Sequence, residues 1–195
     1  MYWIVGLGNP GEEYEATRHN TGRIVLAYFL KKQHLPEPIE SKKYASLVSE
    51  GDCGGEDVFV LWPETYMNKS GSAVAKAISS AKKAKNLIVV YDDLDLPLGT
   101  MKISFGRGSG GHKGVESIIK ALKTRDFIRI RVGIAPTTPS GKLKKPKDEE
   151  KIIDFLMGEF KKPEQEALKK ISKQVGEAIE TILTDGLQKA MNQFN

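Results

Sequence analysis

Cysteine is nearly absent, arginine is scarce and long apolar runs are missing. The single Cys53 among 195 residues cannot close an internal disulfide, which suits a reducing compartment and excludes a disulfide-built scaffold. No apolar run approaches the roughly 18 residues of a membrane helix. The opening Met1-Tyr2-Trp3-Ile4-Val5-Gly6 lacks the basic flank and small-residue cleavage site of a secretory signal. It reads as a strand entering a turn, and a cytoplasmic location without membrane contact is expected. Arginine holds only positions 18, 23, 107, 125, 129 and 131.

The composition is that of a globular domain. With 39% hydrophobic residues, disorder and collagen are excluded, and 195 residues suffice for one ordinary domain. The net charge of +5 favours a polyanionic partner without requiring one. The excess is uneven, since Lys142, Lys144, Lys145 and Lys147 crowd one Pro- and Gly-bearing stretch. A solvated, mobile basic loop over residues 136–150 is predicted.

Short apolar runs alternate with amphipathic stretches, the pattern of an α/β domain. Tyr2–Leu7, Leu87–Tyr91, Gly99–Phe105 and Phe127–Ile134 read as strands, the last with Arg129 and Arg131 on one face. Tyr44–Ser49 and Asp57–Leu61 flank a glycine-bearing turn and read as a hairpin. Helical spacing predicts helices after Asn20, over Ser70–Lys83, over Val115–Leu122 and over Asp148–Met157. Pro163 opens a long C-terminal helix, 163–190, with an apolar stripe from Leu168 to Leu183. One domain over 1–195 is expected, a twisted, mixed, mostly parallel sheet flanked by helices.

Four stretches carry the polar chemistry. Gly6, Gly8 and Gly11 match a dinucleotide-binding fingerprint, but the next helix starts near Asn20, too late to present its N-terminus to a pyrophosphate. That loop instead offers Asn9 and His19 at the C-terminal end of a central strand, where open α/β sheets collect ligands. His19 is there either a general base or a helix-capping histidine. Asp92, Asp93 and Asp95 close an apolar strand, and consecutive residues of a strand face opposite sides. One carboxylate can therefore hold His19 as a base, two can bind Mg²⁺, or all can serve the turn before Pro97. The glycine-rich Phe105–Gly114 run precedes a helix and either cradles a phosphate or carbonyl oxygen or merely connects. Asn68, at a loop-to-helix junction, either caps that helix or aims its amide at a substrate. Neither Cys53 nor any serine has the neighbours of a covalent nucleophile.

In order along the chain stand Gly6-Leu-Gly-Asn-Pro-Gly, Tyr14, Thr17-Arg-His-Asn, Tyr66-Met-Asn-Lys-Ser-Gly, Asp92-Asp-Leu-Asp-Leu-Pro, Gly110-Gly-His and Arg129-Ile-Arg-Val-Gly. Together they resemble the bacterial peptidyl-tRNA hydrolase family across nearly the whole chain. The resemblance implies a monomeric α/β enzyme that cleaves the ester between a peptide and the 3′-terminal ribose of tRNA, with no metal or organic cofactor. It implies His19 as the base that activates water and Asp92 as the acid that orients it. Asn9 and Asn68 match residues holding the substrate near the ester. Tyr14 and Met67 match positions lining the cleft, and Arg131 matches a residue meeting the terminal phosphate. The chain departs from the pattern at Lys113, where asparagine is usual, at Tyr91, where histidine is usual, and at Ser104, where a phosphate-binding base is usual. Lys102 or Arg107 is expected to substitute for the last, Lys113 to contact substrate, and the Lys142–Lys147 loop to touch the acceptor stem. Two further readings are a non-catalytic RNA-binding protein on the same fold and a Mg²⁺-dependent phosphoesterase built on Asp92, Asp93 and Asp95.

Overall fold

A computed structural model describes residues 1–195. In chain order the elements are β1 (Tyr2–Gly6), α1 (Thr21–Lys32), β2 (Ile39–Ser41), β3 (Ser46–Cys53), β4 (Glu56–Pro63), α2 (Ser70–Ala77) and α3 (Ala81–Ala84). Then follow β5 (Leu87–Pro97), β6 (Met101–Phe105), α4 (Lys113–Leu122), β7 (Ile128–Ala135), α5 (Glu149–Met157), α6 (Lys162–Asp185) and α7 (Leu187–Phe194). They form one mixed seven-stranded sheet in the order β2-β3-β4-β1-β5-β7-β6. The four central strands are parallel, while β3 and β6 run antiparallel to their inner neighbours. This is the expected sheet flanked by helices. No helix is long and apolar enough to cross a membrane.

The central strands are apolar on both faces because helices cover both sides. Ile4, Ile88, Val90, Ile130 and Val132 join one core with the inward stripes of α1 and α6. Val5, Leu87, Val89 and Tyr91 join a second core with Val74 of α2 and Ile118 of α4. The period of two along β5 thus sorts its residues between two helix layers. Two glycines let the layers close. A Cβ on Gly22 would lie 2.3 Å from the Val90 carbonyl oxygen, so α1 rests directly on the sheet backbone. A Cβ on Gly71 would lie 2.0 Å from the Ser117 carbonyl oxygen, so α2 and α4 touch main chain to main chain.

Several boundaries differ from the sequence reading. The stretch 70–83 is two helices, α2 and α3. Ile78 adopts an extended backbone and is buried, and Ser80 starts α3 afresh, its hydroxyl accepting the Lys83 N–H at 3.3 Å. The 163–190 helix breaks at Gly186, whose φ of 92° no ordinary helix residue adopts. The break turns α7 so that Asn195 bonds the Ile103 main chain at 2.7 and 3.0 Å, covering the β6 edge. The hairpin turn is only Gly54-Gly55, both left-handed, and Gly51–Cys53 belong to β3. The basic loop spans 136–148, because Glu149 and Glu150 begin α5. The strand from Leu87 runs on to Pro97 and contains the three acids rather than ending on them.

Candidate active site

The acids of β5 are separated by the pleat. Asp92 follows Val90 onto the α1 side of the sheet, and α1 is preceded by the short turn Arg18–Asn20 that carries His19. His19 Nδ1 lies 3.1 and 3.0 Å from the two carboxylate oxygens of Asp92. Asp93 faces the other way and accepts Arg131 Nε at 2.6 Å. Asp95 is exposed and paired with Lys145. The three acids do not converge, so they form no shared cation site as a phosphoesterase would need.

Asp92 has a second partner. His112 Nε2 lies 3.1 Å from Asp92 Oδ1, and its ring is 5.1 Å from that of His19. His19 is 7% and Asp92 3% exposed, so this is a desolvated cluster. Burial works to push the Asp92 carboxyl up, but the charges and hydrogen bonds of the two imidazoles hold it well below the ordinary carboxylate range. For His19, burial disfavours the cation, yet the Asp92 charge and hydrogen bond outweigh it and raise the pKa above 6.5. The ligating atoms of His19, Asp92 and His112 lie within 4.8 Å of one another. Each imidazole nitrogen facing Asp92 has a carboxylate oxygen to donate to, so the trio is satisfied as hydrogen bonds.

His19, Asp92 and Lys113 line a cavity of about 570 Å³. Its apolar wall comes from Ile152, Ile153, Leu156 and Met157 of α5, and Lys145 and Lys147 of the basic loop stand at its rim. Lys102, Arg107 and Arg131 line a second cavity of about 560 Å³. Tyr91, Asp93, Ser109 and Gly110 wall both. Two sets of residues assigned different partners in the sequence are therefore neighbours across one glycine-rich loop.

Asn9 is fixed beside His19 by a stitch. Its N–H donates to Asn20 Oδ1 at 2.8 Å, and Asn20 Nδ2 returns a bond to the Asn9 carbonyl at 2.9 Å. Asn20 spends its side chain there and makes no cap bond to α1. Asn9 Oδ1 accepts the Met67 N–H at 2.8 Å, which leaves its Nδ2 donor free of protein partners. Asn9, Met67 and Asn68 line neither cavity; Met67 is buried, whereas Asn68 is exposed and caps nothing. Tyr14 is half-buried and also outside both.

Two residues were not singled out by sequence reasoning. His112 stood within a glycine-rich run and closed the Gly110-Gly-His motif, but was given no role; that it is one of three histidines was the available signal. Arg129 is fully buried, its guanidinium 4.6 Å over the Phe127 ring and bonded to the carbonyls of Arg107 and Gly108. It fixes the root of the loop. Its strand alternation suggested a basic face, but not that the face is covered.

Comparison with known proteins identifies the family. The family model described as peptidyl-tRNA hydrolase matches residues 3–195. The peptidyl-tRNA hydrolase of Carboxydothermus hydrogenoformans is 42% identical over 100% of this chain and 98% of its own length. That of Syntrophotalea carbinolica is 37% identical over 100% of this chain and 97% of its own. The crystal structure of the Acinetobacter baumannii peptidyl-tRNA hydrolase superposes with a TM-score of 0.89 at 29% identity, covering 100% of this chain and 94% of that one. The chain belongs to the peptidyl-tRNA hydrolase family.

Proposed function

We propose that this chain hydrolyses the ester joining a peptide to the 3′-terminal ribose of tRNA, with His19 as the general base. The observation that carries the reading is the bond from His19 Nδ1 to Asp92, 3.0 Å long, on the wall of an open cavity. A carboxylate accepting at Nδ1 fixes the proton there and leaves Nε2 as a lone pair. That nitrogen takes a proton from water as the water oxygen bonds to the ester carbon. When the tetrahedral intermediate breaks, the same proton passes to the ribose oxygen, releasing a peptide carboxylic acid and tRNA with a free hydroxyl. The free Asn9 Nδ2, assisted by Asn68, donates to the carbonyl oxygen as it gains charge. Tyr14 and Met67 are assigned to the substrate cleft by the family resemblance alone, since neither lines a cavity here, and Lys113 contacts the substrate from the cavity wall.

Lys102, Arg107 and Arg131 take a tRNA phosphate in the second cavity, and the basic loop meets the acceptor stem. Arg107 and Lys102 are exposed there, whereas Arg131 is oriented by Asp93, which fits a fixed donor beside two adaptable ones. No step requires a metal or an organic cofactor. The monomeric state that the family resemblance implies is carried over as part of this proposal.

The test is turnover of an N-acetylated aminoacyl-tRNA by His19→Ala and Asp92→Ala. Loss of about 10²–10⁴-fold is expected for His19→Ala. Undiminished turnover in both variants refutes the mechanism. Tight tRNA binding by the wild-type protein with no cleavage would instead favour the non-catalytic RNA-binding reading.

A further inference from the structure

His112 has no polar atom left to offer a substrate. Its Nε2 meets Asp92 Oδ1 at 3.1 Å, and its Nδ1 accepts the Val115 N–H at 3.3 Å as the N-cap of α4. A ring nitrogen that accepts a main-chain N–H carries no proton, so the neutral ring has its proton on Nε2 and donates it to Asp92. The tautomer is set by the helix end, independently of His19. Asp92 therefore receives two N–H donors, one from each imidazole.

We infer that His112 is a positioning residue for the reaction proposed above: held in one tautomer by the α4 N-terminus, it shares the Asp92 carboxylate with His19 and so sets how strongly Asp92 pulls on the His19 proton. This rests on His19 being the base. A carboxylate with one donor removed is more basic and attracts the remaining imidazolium more strongly. Loss of the His112 donor thus favours charged His19, and the neutral form needed to accept a proton from water appears only at higher pH.

The loop that carries His112 is built to aim it. Gly110 and Gly111 have φ of 62° and 83°, and a Cβ on either would meet nothing within 4 Å. They are required for backbone conformation, not for space. Arg129 anchors the other end of the loop at the Arg107 and Gly108 carbonyls. His112 also packs 4.8 Å from the Tyr91 ring, a phenol that burial pushes up to about 12 and that stays neutral. The remaining ionisable groups facing the cluster are Lys113 from α4, Lys145 and Lys147 from the basic loop, Glu149 from α5 and Asp95 from β5. All are exposed or partly so, hence screened by salt, and Asp93 is taken up by Arg131.

Two substitutions separate the roles of the ring. Asn places an acceptor near the Nδ1 position and keeps the cap, but does not reach Asp92. Gln places a donor near the Nε2 position and reaches Asp92, but gives up the cap. The experiment is an NMR titration of the histidine rings in His112→Asn and His112→Gln, alongside the pH dependence of kcat/KM. With only three histidines, and with His34 exposed and remote in sequence, His34 serves as the internal reference. In His112→Asn the His19 midpoint is expected to rise by roughly half to one pH unit, and the acid limb of kcat/KM to rise with it. In His112→Gln both are expected to stay near wild type while the melting temperature falls. An unmoved His19 midpoint in His112→Asn, or an equal movement in both variants, overturns the inference. A His19 midpoint that moves as stated while the kcat/KM limb stays fixed upholds the coupling and counts against His19 as the base.

Discussion

Asp92 is buried with two imidazoles as its only polar partners, and that sets the pH behaviour of the site. Its charge raises the His19 pKa above 6.5, so neutral His19, and with it kcat/KM, gains as pH rises through that elevated value. In Asp92→Asn the raising influence goes while burial, which lowers, remains. The acid limb should therefore move down in pH even as the maximal rate falls, and a pH–rate profile reads both. A limb that moves up would contradict the assignment. His19 was legible as a candidate from its place in a polar loop after a central strand, and one acid of the Asp92-Asp93 pair from the strand end beside it, but the choice of Asp92 came from the family resemblance. His112 was not legible, since its contact with Asp92 depends on two left-handed glycines whose conformation no spacing pattern encodes.

Elements position these residues by unusually close approach. α4 delivers His112 and Lys113, and it packs on α2 where Gly71 leaves no room for a side chain. Gly71 N also donates to Ser117 Oγ at 3.0 Å. Gly71→Ala must push the two helices apart, since the two nearest atoms it meets, the Ser117 carbonyl oxygen and carbon, are main chain. A destabilisation of about 1–3 kcal/mol is expected, measured by denaturant unfolding, together with reduced turnover because α4 moves with its first turn. Unchanged stability would show that the contact relaxes freely. Periodicity found α2, α4 and α6 but ran α2 into α3 and α6 into α7. A buried extended residue, Ile78, and a glycine turn at 186 are decided by what they pack against.

At the scale of the molecule, the +5 charge is focused on the two cavities and the basic loop. Association with tRNA should weaken with salt, as counterions displaced from phosphates return. Arg107 is exposed and makes no ion pair, so Arg107→Ala should lower the slope of log kcat/KM against log salt by about one, read from assays at several salt concentrations. A slope equal to wild type would place the phosphate elsewhere. The α/β class, the central strands, the His19 and Asp92 pair and the family were fixed by the chain alone, because periodicity, glycine punctuation and ordered motifs are local properties of a sequence. Tertiary structure decided that Asp93 belongs to Arg131, that Arg129 is a buried strut, that Asn20 stitches Asn9 rather than capping, and that a second imidazole shares the carboxylate. Each of those is a competition among side chains far apart in sequence for one partner, and only distance in space settles which one wins.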